Sequence, residues 1–247
     1  MKIDIISDVH IEINKLNMDI FSAGDLLILA GDITSARIIK DQINFFEDIS
    51  ERYRDVIYIC GNHESYGFDI TKTYSHIKET LFKNKNIHVL DNEFIKLDNI
   101  LFYGGTLWTD FDKNPIIQYT ARSLLNDFRH IKCGALKLMP EDLISRHRMF
   151  LENLNSIDDD VFVISHHAPT HQVIDERFKH DIELNCCFCS ELDHLFLKPN
   201  IKYWVHGHLH KRHDVVIEST RIICNAYGYD KYESDLTKLF KIKTIEI

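Results

Sequence analysis

Short runs of apolar, β-favouring residues recur along this chain and constrain its fold more than any other feature of the sequence. Runs of this length and composition are typical of strands that are buried within a sheet. They occupy Lys2 to Ser7, Leu26 to Ala30, Val56 to Cys60, Ile100 to Gly104, Val161 to Ser165, Lys202 to Val205, Asp214 to Ile217 and Arg221 to Cys224. The sequence therefore predicts a fold that is built on β-sheet.

Amphipathic helical patterns lie between some of these strands. One is predicted from about Ser35 to Tyr53, and another from about Pro140 to Asn155, where Pro140 suits the first helical turn. Strands alternate with helices early in the chain and are joined by short turns near its end. This order predicts an α/β fold with mixed sheets rather than a purely parallel sheet. No repeat, low-complexity run or linker is found, so residues 1–247 are predicted to form a single domain.

Side chains that can bind metal ions follow five of the predicted strands, at the point where each strand ends. In an open α/β sheet, the carboxyl ends of the strands form the crevice in which ligands bind. The residues concerned are Asp8, His10, Asp32, Asn62, His63, Glu64, His166, His167, His208 and His210. Carboxylate and amide oxygens mixed with imidazole nitrogens suit Mn, Fe, Zn or Ni. The glycines at 31, 61 and 207 are predicted to let the backbone turn so that the next side chain points into the crevice.

Charge limits the partners that the chain can have. It contains 29 Lys plus Arg against 38 Asp plus Glu, for a formal net charge of -9, and such a field repels polyanions at long range. Nucleic-acid binding is therefore disfavoured, although bound cations would add positive charge at the site itself. Asp4 and Asp8 interrupt the N-terminal apolar run, so neither a signal peptide nor a membrane span is expected there. A cytoplasmic protein with reduced cysteines and no membrane partner is expected.

The five motifs, in their order, resemble the calcineurin-like metallophosphoesterase superfamily. They are Asp-x-His, Gly-Asp, Gly-Asn-His-Glu, His and Gly-His-x-His. A closer resemblance, to a bacterial and phage branch of phosphoesterases with unassigned substrates, is carried by four segments, at 104 to 111, 126 to 129, 166 to 170 and 220 to 229. The resemblance implies an α/β fold that is a four-layer α/β/β/α sandwich with two mixed β-sheets.

The same resemblance implies two divalent metal ions, with manganese favoured over iron, zinc and nickel, and a ligand set. One ion would be held by Asp8, His10, Asp32 and His210, and the other by Asp32, Asn62, His166 and His208. Asp32 would therefore bridge the ions, and a hydroxide between them would be the nucleophile. His63 would bind the phosphate and protonate the leaving group, with Glu64 holding His63.

Four residues are predicted to contact the substrate: His167, Trp108, Arg129 and Asn62, which is also a candidate metal ligand. Arg129 would offer a guanidinium fork to the phosphate. A packed tryptophan and a structural ion pair explain Trp108 and Arg129 equally well.

Three classes of function fit the sequence. The first is a metallophosphoesterase, a hydrolase that cleaves phosphomonoesters or phosphodiesters of small molecules or nucleotides. The second is a nuclease that acts on DNA or RNA ends with the same metal site. It would need a basic track, and the chain has no basic run beyond Lys211-Arg212. The third is a non-catalytic scaffold of the same fold, which the intact set of motifs disfavours.

Overall fold

Two large β-sheets dominate the protein, which is described here from a computed structural model of all 247 residues. The first sheet has five strands, in the spatial order β13 (Lys243–Glu246), β1 (Lys2–Ile6), β2 (Gly24–Ala30), β3 (Tyr53–Ile59) and β4 (Ile87–Leu90). β1 to β4 are parallel, and β13 pairs antiparallel with β1. The parallel strands therefore all end at the same edge of this sheet.

The second sheet has six strands, and it is also mixed. Their spatial order is β11 (His213–Ile217), β12 (Thr220–Cys224), β10 (Ile201–His206), β9 (Val161–Ser165), β6 (Ile100–Gly105) and β5 (Glu93–Leu97). The four central strands are parallel, whereas β5 and β11 are antiparallel at the edges. A separate hairpin pairs β7 (Lys132–Cys133) with β8 (Leu136–Lys137).

Helices cover the outer faces of both sheets. The α-helices are α1 (Ile43–Arg52), α2 (Ile70–Thr80), α3 (Pro115–Leu124), α4 (Asp127–His130), α5 (Pro140–Asn155), α6 (Ile182–Asn185) and α7 (Ser234–Lys238). Phe46 and Ile49 of α1 pack with Leu29 of the first sheet. On the opposite side, Phe150 of α5 packs with Val163 of the second sheet.

The core between the sheets follows from the two-residue period of a strand. Ile5 and Ile28 of the first sheet pack against Phe102, Ile164 and Val205 of the second, and all five are fully buried. Their neighbours along each strand point to the helices instead. The layers are therefore α/β/β/α, which confirms the predicted fold class.

None of the helices is long and apolar enough to span a membrane.

The helix predicted from about Ser35 to Tyr53 begins later in the structure, although its predicted end is correct to within one residue. A 3-10 turn at Ile39–Gln42 precedes α1, and Tyr53 is already the first residue of β3. The chain before Ile39 is held by other bonds, because Ser35 Oγ donates to the Tyr66 carbonyl at 2.8 Å. Ala36 N donates to the Glu64 carbonyl, also at 2.8 Å. These bonds fix residues 35 and 36 against the loop after β3 and keep them out of the helix.

Candidate metal centre

The carboxyl ends of five parallel strands from both sheets meet at one place. Asp8 follows β1, Asp32 follows β2, Asn62 follows β3, His166 follows β9, and the pair His208 and His210 follows β10. Backbone bonds tie these loops together within each sheet. Asp8 N donates to the Gly31 carbonyl at 3.0 Å, and Gly207 N donates to the His166 carbonyl at 3.0 Å. Residues that are distant in the sequence are thereby held at fixed positions.

The candidate ligands form two clusters of three. The ligand atoms of the first cluster, Asp8, His10 and His210, lie within 4.8 Å of one another. The same limit holds for the second cluster, Asp32, His166 and His208. Asn62 joins the second cluster, because its Oδ1 lies 3.1 Å from His166 Nε2. The structure therefore brings all seven predicted ligands together.

Asp32 lies between the two clusters. Its Oδ2 is 3.3 Å from His166 Nε2 and 3.7 Å from His10 Nε2, so one oxygen faces a nitrogen of each cluster. Its Oδ1 accepts a hydrogen bond of 2.8 Å from His63 N, which fixes the orientation of the carboxylate. Asp32 is the candidate ligand that approaches both clusters through the same atom.

The imidazole rings are held so that Nε2 points into the site. His10 Nδ1 donates to Glu12 Oε1 at 3.1 Å, and His210 Nδ1 donates to Glu233 Oε2 at 2.6 Å. His166 Nδ1 donates to the Ala30 carbonyl at 3.0 Å. A ring whose Nδ1 donates in this way can offer Nε2 to a metal ion, which is one of the two arrangements that metal-binding histidines adopt.

The electrostatics of the site favour cations. Burial alone would raise the pKa of Asp32, but His166 and His63 hold that pKa well below its usual range. Burial alone would lower the pKa of His210, but Asp8 raises it to about 10, so a proton occupies Nε2 without a metal ion and a bound cation would displace that proton. Nε2 of His10 is buried and has no hydrogen-bond partner. Ionised carboxylates and an unpartnered imidazole nitrogen in a buried space fit divalent metal ions.

The backbone at the site adopts an uncommon conformation. Five of the seven candidate ligands have a left-handed φ angle: Asp8 (55°), His10 (48°), Asp32 (55°), His208 (68°) and His210 (46°). Among the three glycines, only Gly31 has a positive φ, of 86°. At Gly61 the absence of a side chain prevents a steric clash, because a Cβ atom there would lie 2.2 Å from Asp32 Oδ1. At Gly207, a Cβ atom would lie 2.8 Å from Asp8 Oδ2. The prediction that all three glycines permit tight turns is therefore correct for Gly31 alone.

His63 lies beside the two clusters, and it forms a separate group with His10 and Glu12, whose ligand atoms lie within 4.8 Å of one another. Its ring stacks on Tyr66 at a centroid distance of 4.1 Å, and its Nε2 lies 3.4 Å from the Tyr229 hydroxyl. Its Nδ1 is 3.9 Å from Glu12 Oε1. Burial lowers the pKa of His63. Tyr66, Tyr229 and Glu12 therefore surround this imidazole.

The predicted role of Glu64 as the partner of His63 is wrong. The Glu64 carboxylate is fully buried and accepts hydrogen bonds from backbone N–H groups of Asp32 at 3.0 Å, Ile33 at 2.8 Å and Gly61 at 2.7 Å. The Tyr58 hydroxyl donates a fourth bond of 2.8 Å. These donors use both carboxylate oxygens, so Glu64 joins the loops after β2 and β3 and leaves the orientation of His63 to other residues.

The three remaining predicted substrate residues lie away from the open cleft. His167 is buried behind His208, with their ring centroids 4.1 Å apart. Trp108 is buried and packs on His167 at a centroid distance of 5.1 Å. Arg129 is exposed, and its guanidinium donates to the Ser123 carbonyl at 2.7 Å. The structure brings none of these three side chains to the cleft.

A cleft of about 350 Å³ opens over the two clusters. Its walls combine polar groups of the site with aliphatic and aromatic side chains, and they contain no lysine or arginine. The lining residues are Asp32, Asn62, His63, Tyr66, Leu124, Leu125, Asn126, Asp127, Phe188, His208, Leu209, His210 and Tyr229. Asp127 orients Asn62 by accepting a hydrogen bond of 2.9 Å from its Nδ2. The amide oxygen of Asn62 is thereby left for the second cluster.

Comparison with known proteins identifies the class to which this fold and site belong. Residues 1–212 match the sequence model of the calcineurin-like phosphoesterases. The chain therefore belongs to the calcineurin-like phosphoesterase family, and it is a metal-dependent hydrolase that acts on phosphoester bonds.

Two individual proteins are similar over most of their length. Uncharacterized protein L509 of Acanthamoeba polyphaga mimivirus is 27% identical over 225 residues, which cover 82% of this chain and 78% of the viral protein. The crystal structure of phosphopantetheinyl hydrolase (PptH) from Mycobacterium tuberculosis has a TM-score of 0.77 and 14% identity. That likeness covers 99% of this chain and 95% of the mycobacterial one, and it shows that the two share a fold.

Proposed function

We propose that the protein is a dinuclear phosphoesterase that hydrolyses small phosphomonoesters or phosphodiesters. The first ion would be held by the first cluster together with Asp32, and the second ion by the second cluster together with Asn62. The observation that carries the proposal is the position of Asp32 Oδ2, which is 3.3 Å from a nitrogen of one cluster and 3.7 Å from a nitrogen of the other. A carboxylate in that position can serve two cations at once.

The residues around the clusters have distinct tasks in this reaction. Two divalent ions held by these ligands would supply positive charge to the phosphoryl oxygens and would lower the pKa of a water that serves as the nucleophile. His63 faces the cleft and donates a proton to the leaving oxygen. An anionic phosphate beside His63 opposes the effect of burial and raises its pKa towards neutrality. Glu12 holds the His10 ring by a bond of 3.1 Å, and it places a negative charge 3.9 Å from Nδ1 of His63.

The walls of the cleft support a small substrate with an apolar or aromatic substituent. Leu124, Leu125, Phe188 and Leu209 lie beside the two tyrosines in the cleft wall. Polyanions need several lysine or arginine side chains along their path, and this cleft has none. The formal net charge of -9 acts in the same direction. We therefore place a nucleic-acid substrate second to a small phosphoester.

Metal content tests the dinuclear proposal directly. Metal-free protein that is reloaded with Mn²⁺ and freed of excess ion should contain close to two manganese ions per chain by elemental analysis. The oxygen and imidazole donors of the two clusters suit Mn²⁺. A saturated sample that held one ion or none would rule out the dinuclear arrangement.

A substrate panel tests the proposed substrate class. The Mn²⁺-loaded protein should turn over p-nitrophenyl phosphate, bis-p-nitrophenyl phosphate or cyclic nucleotides, and it should leave single-stranded DNA intact. Its dissociation constant for random-sequence DNA at physiological salt should be weaker than about 1 μM, which is the range of non-specific contacts. Sub-micromolar binding together with cleavage of DNA would reverse the ranking and favour a nuclease.

A further inference from the structure

One group of metal-binding side chains shares no residue with the dinuclear centre and lies on the second sheet. His206 is the last residue of β10, His213 is the first residue of β11, and Cys224 is the last residue of β12. Their ligand atoms all lie within 4.8 Å of one another. His206 and Cys224 are fully buried, whereas His213 is partly exposed to solvent. The proposed phosphoesterase reaction uses none of these three residues.

Strand pairing places these side chains in one row. His206 is paired with Cys224 between the parallel strands β10 and β12. His213 is paired with the same Cys224 between the antiparallel strands β11 and β12. Residues that are directly opposite each other in a sheet project from the same face. The register of three adjacent strands therefore brings two imidazoles and one thiol together.

The hydrogen bonds of His206 determine which of its nitrogens can bind a ligand. Its Nδ1 lies 2.9 Å from the Gly207 carbonyl, which can only accept, so the ring proton is on Nδ1. Nε2 therefore carries a lone pair, and it points at His213 Nε2, 3.0 Å away.

Two arrangements account for the facing nitrogens. In one, His213 donates a proton from Nε2 to His206. In the other, both lone pairs bind one cation, which would hold the two nitrogens about 3.3 Å apart at the usual zinc–nitrogen bond length in a tetrahedral site. The nearby thiol of Cys224 favours the second arrangement, because two imidazoles and a thiolate are a donor set typical of zinc or copper.

We propose that His206, His213 and Cys224 bind a third metal ion of the zinc class. The exposed edge of His213 is the route by which the ion enters, and a water is the fourth ligand. The Cys224 thiol loses its proton to solvent when the ion binds. An ion at this position would join the ends of β10, β11 and β12 at the base of the loop 207–212, which carries His208 and His210.

Cobalt(II) offers a test in which only this site gives a signal. The dinuclear centre has oxygen and nitrogen donors alone, and Cys224 is the one cysteine that belongs to any metal-binding group of the structure. A thiolate-to-cobalt charge-transfer band in the near ultraviolet would therefore report on Cys224. The wild-type protein should show this band and bind three Co²⁺ ions per chain. The Cys224→Ser protein should lack the band and bind two.

Matched variants separate loss of the site from loss of the fold. Cys189→Ser removes another buried cysteine and should keep both the band and the third ion. His213→Ala changes a partly exposed ligand and should weaken the third ion by at least about 100-fold, since even outer partners of a metal ligand contribute 10–100-fold. Its thermal unfolding without metal should still be cooperative.

The dinuclear centre can be disabled independently. In the Asp32→Asn protein the charge-transfer band should persist, because Asp32 belongs to a different cluster. Absence of the band from the wild-type protein, or its survival in the Cys224→Ser protein, would overturn the third site and leave a hydrogen-bonded histidine pair. Neither result would affect the dinuclear proposal, which depends on manganese content.

Discussion

Replacing Asp32 with asparagine should lower kcat by about 10³-fold or more, a loss of about 4 kcal/mol of transition-state stabilisation, and no other ligand substitution should cost as much. Asp32 Oδ2 approaches a nitrogen of both clusters, so the change weakens the binding of two ions together. Asparagine keeps the size of the side chain and tolerates the left-handed backbone at this position. The measurements are kcat with saturating Mn²⁺ and metal content by elemental analysis.

Asp8→Asn is the matched control for this experiment. Asp8 is also a buried aspartate that follows a strand, and it has the same φ of 55°. It belongs to the first cluster alone. The Asp8 variant should lose activity mainly because one of the two ions binds more weakly, and a higher Mn²⁺ concentration should restore part of that activity. Equal losses in the two variants at every metal concentration would show that Asp32 does not bridge.

Replacing His63 with alanine should lower turnover by about 10²–10⁴-fold on a substrate with a poor leaving group, the usual contribution of general acid catalysis. The imidazole lies beside the clusters, with Nε2 near the Tyr229 hydroxyl, so its removal takes no ligand from either cluster. Both metal ions should remain, and the thermal transition should stay cooperative. The measurement is kcat for an alkyl phosphate ester, with metal content determined on the same sample.

The leaving group provides the internal control for His63. p-Nitrophenolate departs readily without a proton, so the His63→Ala protein should lose much less activity on p-nitrophenyl esters than on alkyl esters. Equal losses on the two substrates would show that His63 transfers no proton to the leaving group. Loss of one metal ion would mean that His63 supports the metal centre instead.

Most of the central strands could be predicted from the sequence because a strand that is buried on both faces consists of a continuous run of apolar residues. β9 has the predicted bounds of Val161–Ser165, and α5 has those of Pro140–Asn155. Three strands at sheet edges, β4, β5 and β13, were not predicted. β5 alternates partly buried and exposed residues, and β13 has only one buried residue among four. Edge strands of this kind resemble loops in composition, so the sequence signal is weak.

The candidate ligands could be located because each follows a strand, but the groups that hold them could not. Glu12 could have been proposed as a partner of His10 from the sequence, because it lies only two residues after His10. Glu233 bonds to His210 and Asp127 bonds to Asn62, and each is distant in sequence from its partner. Such pairs are set by tertiary packing. Glu64 was assigned to His63 because of the family resemblance, whereas its carboxylate points back to the backbone of two loops.

The left-handed backbone at five candidate ligands bears on the history of this protein. Each of these positions costs an L-residue roughly 1 kcal/mol or more of stability in comparison with glycine. Glycine would relieve that cost at each position, but it would also remove the candidate ligand and, at position 32, the hydrogen bond from His63 N. The chain instead carries aspartate or histidine at all five. Retaining side chains that destabilise the fold is the pattern expected where selection still acts on the chemistry.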